Sequence, residues 1–184
     1  MTAPAPDPLL EAARGVFEQF GVRRATMEDV ARAAGVSRST LYRAHPTKEA
    51  LLLAVVERET AAFFDHLEEA AADLPPGEAV VECFVRGIAL MREIPVLGRL
   101  AQTEPEVVTG MPGRGSLVLR FTERVAATLR RAGATMPDDE LLEVAELLLR
   151  LASTYLLDPT GRLDVTDERA VRAYAARFLA VLVH

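Results

Sequence analysis

Tryptophan is missing from this 184-residue chain, cysteine and lysine each occur once, and aromatic residues amount to 5 %. The single Cys83 cannot close an internal disulfide, which excludes a disulfide-built fold and suits a small buried apolar residue in a reducing compartment. One cysteine and three scattered histidines (His45, His66, His184) do not make the clustered ligand set of a structural zinc site. None of those histidines follows a glutamate by three residues, as a di-iron helical bundle requires. His66 beside Asp65 and Glu69 reads as a weak metal patch or, more simply, as a solvated helix face. A Gly-x-Ser-x-Gly elbow, a phosphate-binding loop and a dinucleotide fingerprint are lacking too. Charge-free runs stop at seven residues, far short of the ~20 that span a bilayer. Residues 1–7 carry neither the basic nor the apolar part of a secretory signal. The expectation is a cytoplasmic protein that is not an enzyme, with no catalytic residues, no cofactor and no metal.

What is present is half apolar and 26 % charged, enough to bury a core. The length fits one domain, or a small module joined to a larger one. Abundant Ala, Leu, Glu and Arg, with almost no β-branched run of strand length, predict an all-α fold of about nine helices. The net charge of −6 is unevenly spread. Residues 1–50 hold seven basic against six acidic groups, +1, whereas residues 51–184 hold 14 against 21, −7. Such asymmetry is compatible with a head that faces nucleic acid and an acidic body.

Local signals divide the head. Asp7 and Pro8 start a helix with Leu9, Ala13, Val16, Phe17 and Phe20 on one face, and Gly21 ends it. Thr26 caps a second helix, with Asp29 as its capping-box partner and Met27, Val30, Ala31 and Ala34 as its buried face. Gly35-Val36-Ser37 breaks the pattern, and Ser37 caps a short third helix that stops where His45 precedes Pro46. Thr47 then caps a long helix over 48–72. Two helices across a tight Gly-containing turn make a helix-turn-helix. Further helices are expected near 78–93, 96–102, 116–132, 138–157 and 167–183, the last capped by Thr166, with a loop over 104–115.

In such a motif the second helix enters the major groove and its N-terminal residues meet base edges. Leu41 faces back onto the first two helices, leaving Arg38, Ser39, Tyr42 and Arg43 outward with Thr40 between. Arg38 or Arg43 has the fork that pairs with a guanine O6/N7 edge, and Thr40 suits a thymine methyl or a phosphate. Tyr42 and Lys48 suit phosphate oxygens, Lys48 standing in the first turn of its helix beside Thr47.

The ordered run Thr26-Met27-Glu28-Asp29-Val30-Ala31-Arg32-Ala33-Ala34-Gly35-Val36-Ser37-Arg38-Ser39-Thr40-Leu41-Tyr42, then Pro46-Thr47-Lys48-Glu49-Ala50-Leu51, resembles the DNA-binding region of TetR/AcrR-type transcriptional regulators. The match covers about residues 8–55. The resemblance implies an N-terminal three-helix helix-turn-helix head over 1–50 and a C-terminal helical bundle over 51–184 for ligand binding and dimerisation. It further implies a homodimer on a palindromic operator, usually a repressor, released when a small molecule enters a cavity among the middle helices. By position it makes Thr26, Arg38, Ser39, Thr40, Tyr42, Arg43 and Lys48 the DNA contacts. One departure stands out: Ala44-His45 replaces the aromatic or His followed by Phe that the family usually shows before the proline. Ala44 lacks the phosphate contact expected there, and His45 falls where a buried ring closes the head.

The helix over 138–157 is apolar almost all round, and the last carries a stripe of Val171, Tyr174, Ala175, Phe178 and Leu182. That surplus fits a subunit interface, most simply a symmetric dimer, or a central core helix. The resemblance gives the last two helices to a four-helix dimer interface, which nominates Leu142, Ala145, Leu149, Ala152, Val171, Tyr174, Phe178 and Leu182. Candidate effector-pocket residues, each equally at home in an ordinary core, are Phe63, Phe64, Leu67, Phe84, Ile88, Met91, Leu97, Leu100, Phe121 and Tyr155. Their character favours a small apolar or amphipathic effector. A DNA-binding dimer without an effector and a helical-bundle enzyme are the alternatives.

Overall fold

Each of the first four helices begins at a side chain that accepts from its own first turn. The structure is a computed structural model describing residues 7–93, 104, 106, 107, 110 and 113–184. Helix α1 (Pro8–Phe20) starts where Asp7 Oδ1 accepts from the Leu9 amide at 2.9 Å. Helix α2 (Met27–Ala34) has a complete capping box between Thr26 and Asp29 and ends at Gly35, whose φ of 67° places it in the left-handed region that favours glycine. Ser37 Oγ accepts from the Thr40 amide at 3.2 Å to open α3 (Arg38–Ala44). Thr47 Oγ1 does the same for Ala50 at 3.1 Å, opening α4 (Lys48–Ala71).

The remaining helices are α5 (Pro76–Glu93), α6 (Arg114–Arg131), α7 (Asp138–Leu157) and α8 (Glu168–Phe178), followed by a 3₁₀ turn over Ala180–Leu182. That makes eight α-helices and no strand among the described residues; the expected helix over 96–102 lies outside them. Two local expectations change. Asp167, not Thr166, caps α8: its Oδ1 accepts from the Arg169 amide at 2.9 Å, while the Thr166 hydroxyl donates to Asp164. Helix α8 also stops at Phe178 instead of running to Val183.

The chain divides into two compact units, Met1–Glu59 with Pro95–Arg114, and Thr60–Ile94 with Gly115–His184. The first unit thus runs past residue 50, through Glu59. The head takes in the first half of α4 and a segment far along the chain. Its buried side chains include Ala13, Val16 and Phe17 of α1, Val30 and Ala31 of α2, Leu41 of α3, and Leu51, Leu52 and Val55 of α4.

In the second unit α5 packs on α7 and α8. Val80, Phe84, Val85 and Ile88 meet Leu129 of α6, Leu141, Ala145 and Leu148 of α7, and Val171 and Ala175 of α8 in one core. The burial of Ala145 (0 % exposed) and Val171 (2 % exposed) within one chain corrects their assignment to a subunit interface. Helix α7 is also less enclosed than its composition implies, because Leu142 and Leu147 stand exposed. No helix among the described residues is long and apolar enough to cross a membrane.

An ion-paired carboxylate joins α5 to α8. Glu82 accepts from Arg86 Nε at 2.8 Å and from Arg172 Nη1 at 2.9 Å. The Arg86 bond, opposed by partial burial and reinforced by Arg172, holds Glu82 below the usual carboxylate range. The unfolded chain therefore takes up this proton first as pH falls. The stabilisation is complete above the ordinary Glu value of about 4.3 and is lost as pH drops through the lower folded value. Glu82→Gln should thus lower Tm at pH 7, with the gap to the wild type closing as pH falls below the ordinary Glu value of about 4.3. Melting curves that stay parallel over this range would refute the assignment.

Candidate nucleic-acid interface

Helix α3 has one inward and one outward side. Leu41 is wholly buried and fixes the helix to the head, whereas Arg38, Ser39, Tyr42 and Arg43 are exposed and Thr40 is half-buried. The hydroxyls of Ser39 and Thr40 both lie 2.9 Å from Ser37 Oγ, a hydroxyl cluster at the start of the helix. Arg38, with its side chain 70 % exposed, pairs with Glu28 of α2 at 3.1 Å, so the carboxylate aims a guanidinium that is otherwise open to solvent. Thr26 is exposed at the start of α2, its Oγ1 donating to Asp29 Oδ2 at 2.6 Å and accepting from the Asp29 amide. Exposed guanidinium, hydroxyl and phenol groups on one short helix present hydrogen-bond donors, the complement of phosphate oxygens and purine acceptor edges.

His45 closes α3 as expected, its amide donating to Leu41 O at 2.8 Å and its backbone turning extended before Pro46. Its ring is half-buried, not the enclosed plug that its position suggested.

Lys48 has other partners than the phosphate foreseen for it. Its ammonium donates to the carbonyls of Val22 at 2.7 Å, Ala25 at 3.2 Å and Arg23 at 3.3 Å, which engages all three of its hydrogens. The same turn is held from its amide side by Glu104, a carboxylate 8 % exposed. Glu104 Oε2 accepts from the Val22 amide at 2.7 Å and Oε1 from the Arg23 amide at 2.9 Å. Glu106 adds an ion pair to Arg23 at 2.5 Å. A lysine and a glutamate thus stitch the turn that leads into α2. Sequence reasoning missed Glu104, which sits in an apparently featureless loop some 80 residues from its partners.

The family model for bacterial regulatory proteins of the tetR family matches residues 9–55. An HTH-type transcriptional regulator of Mycobacterium tuberculosis, MT1294, is 33 % identical over 173 residues, covering 92 % of this chain and 82 % of that protein. The chain belongs to the TetR family of transcriptional regulators. Among solved structures, the TetR family repressor AlkX from Dietzia sp. strain DQ12-45-1b superposes with a TM-score of 0.74 at 20 % identity, covering 97 % of this chain and 99 % of that one. A TetR transcriptional regulator from Rhodococcus sp. RHA1 gives 0.60 at 25 % identity, covering 94 % and 93 %. This TetR-family regulator is accordingly a DNA-binding protein.

The regulator also has a cavity of about 70 Å³ in its second unit, walled by α4, α5, α6 and α7. Of the residues nominated for an effector pocket, Phe63, Phe64, Leu67 and Phe84 line it. Ile88 is core, Phe121 stacks on Phe64 with ring centres 4.5 Å apart, and Tyr155 packs edge-on to Phe84 at 6.3 Å. The side chain of Met91 and the whole of Leu97 and Leu100 lie outside the described residues. Leu149 and Ala152, nominated for the interface, turn towards this cavity instead. Of the interface nominees, Leu142 and Phe178 are exposed, and Tyr174 and Leu182 are half-buried.

Cys83 is on the cavity wall with its Sγ 3.7 Å from Leu67 O. Burial first, then the charges of Glu82 and Glu68, push its thiol up to about 12, so it behaves as an apolar neutral group. Asp65 pairs with Arg124 at 2.7 Å, and His66 Nδ1 lies 2.6 Å from Ala62 O within its own helix. That arrangement agrees with a solvated helix face more than with a metal patch.

Proposed function

We propose that the chain is a homodimeric repressor that binds a palindromic operator and leaves it when a small apolar molecule occupies the second unit. The observation that carries the DNA half is α3 itself, with Leu41 buried, and Arg38, Ser39, Tyr42 and Arg43 exposed. Thr26 and Thr40 add contacts at the edges of this face, while Lys48 positions it by holding the preceding turn. The dimer half is supported by apolar side chains left exposed at the end of the chain: Leu142 and Leu147 on α7, Phe178 on α8, and Val181 in the 3₁₀ turn. Their burial against a second copy would satisfy a surface that a lone chain leaves in water. The effector half is supported by the cavity, whose wall is almost entirely apolar. An effector releases DNA by binding the DNA-incompetent state more tightly than the competent one.

The test is selection of binding sites from random duplexes at two salt concentrations, alongside sedimentation of the free protein. A two-fold-symmetric site bound by a dimer, with affinity falling steeply as salt rises, is the expected result. A monomer in solution, or folded protein enriching only an asymmetric site, would overturn the dimeric-operator reading.

A further inference from the structure

Helix α5 carries a glycine that neither its backbone nor its packing against the described residues explains. Gly87 lies well inside the helix, without a positive φ, where glycine is less stable than alanine. Among the described residues, a Cβ at this position would meet only Phe63 Cζ, at 4.0 Å, which is ordinary van der Waals contact. The described side chains therefore leave room for a methyl group. That room is the cavity: Val80, Cys83, Phe84 and Gly87 follow one another at helical spacing along its α5 wall.

The charge on the wall is equally informative. Glu68 is the one charged side chain among the described lining residues. Its Oε1 accepts from Arg124 Nε at 2.9 Å and Nη2 at 2.6 Å, and its Oε2 faces Arg131 Nη2 at 3.0 Å. Arg124 also pairs with Asp65 and lies over the Phe64 ring, 5.3 Å from its centre. Among the described residues two carboxylates and two guanidiniums balance at this edge, leaving no net charge for a ligand to answer. A charged head group would have to separate an existing pair and lose its own water. The volume is also restrictive: about 70 Å³ is roughly half that of an engineered apolar cavity that admits benzene, about 150 Å³.

We infer that Gly87 holds this cavity open for the end of an uncharged, slim aliphatic chain, and so sets which effectors the regulator accepts. The inference rests on the effector reading above and specifies its ligand. A methyl group at position 87 would strengthen the helix and fill space that the chain end needs. Stability and ligand response should therefore move in opposite directions.

The experiment is thermal unfolding of the full-length wild type and Gly87→Ala, alone and with equal concentrations of 1-hexanol, hexanoate, hexylammonium or benzyl alcohol. Without ligand, Gly87→Ala should melt about 2–4 °C higher. In the wild type 1-hexanol should raise Tm more than its two charged counterparts and more than the ring, because a ligand of the native state stabilises it. In Gly87→Ala the 1-hexanol shift should shrink to less than half. If no probe shifts the wild type, the effector reading falls and this inference with it. If 1-hexanol shifts both proteins equally, the effector reading stands and the role of Gly87 is overturned. A larger shift with hexanoate or hexylammonium would overturn the uncharged class, and a larger one with benzyl alcohol the slim shape.

Discussion

Replacing Arg38 with alanine is expected to weaken binding to the selected operator by about 100-fold while leaving most non-specific DNA binding intact. The side chain stands at the first position of α3, largely exposed and aimed by Glu28. One bidentate contact to a guanine edge is worth about 1–3 kcal/mol of discrimination. A symmetric dimer loses it twice, roughly 2–6 kcal/mol, against which the exposed ion pair to Glu28 offsets at most about 1 kcal/mol per copy. In the proposed dimer the net effect therefore centres near about 3 kcal/mol, or about 100-fold. Anisotropy titrations on the operator and a scrambled duplex, each over a salt series, separate the roles. Loss confined to the operator with an unchanged salt slope marks base readout. An equal loss on both duplexes, with the slope reduced by about 0.9 per protomer, would make Arg38 a phosphate contact and sink this assignment.

The second large effect is expected at Lys48. Lys48→Met keeps the aliphatic stem but removes the ammonium shared by the Val22, Arg23 and Ala25 carbonyls. Hydrogen bonds from a charged donor contribute about 1.5–3 kcal/mol each where buried. With Lys48 half-exposed, a total of about 2–4 kcal/mol is appropriate after allowing for solvent. The head should soften, Tm should fall by about 5–10 °C, and operator affinity should drop through loss of the turn that leads into α2. Its salt slope should not change. A Tm near that of the wild type together with a slope lower by about 0.9 per protomer would restore Lys48 to the phosphate backbone.

The head was the most legible part of the molecule. Its helix starts are written in residues that act on amides two or three positions away: Asp7, Thr26, Ser37 and Thr47 each make the capping bond their position predicts. Gly35 adopts the left-handed conformation that the turn between α2 and α3 requires. The same locality explains the error at Thr166. Adjacent Thr and Asp can both cap, and the choice of Asp167 depends on Asp164 taking the threonine hydroxyl.

Side-chain roles were less legible, because charge and position on a helix do not reveal which partner is nearest. Lys48 looked free for a phosphate until its three carbonyl partners were in place. Glu104 carried no signal at all. Helix α7 shows the limit for apolar residues: composition marks Leu142, Ala145, Leu147, Leu149 and Ala152 alike. Folding buries Ala145, turns Leu149 and Ala152 to a cavity, and leaves Leu142 and Leu147 outside.

By itself, then, the sequence determined the helices of the head, their caps and the outward face of α3, since these follow from interactions within about four residues of chain. Tertiary structure alone decided the rest. It brought Glu104 to a turn 81 and 82 residues away. It closed four helices around the space beside Gly87 and paired Glu68 with Arg124, 56 residues on. Those outcomes depend on which helix faces meet, and helical periodicity shows that a face is apolar without showing what will cover it.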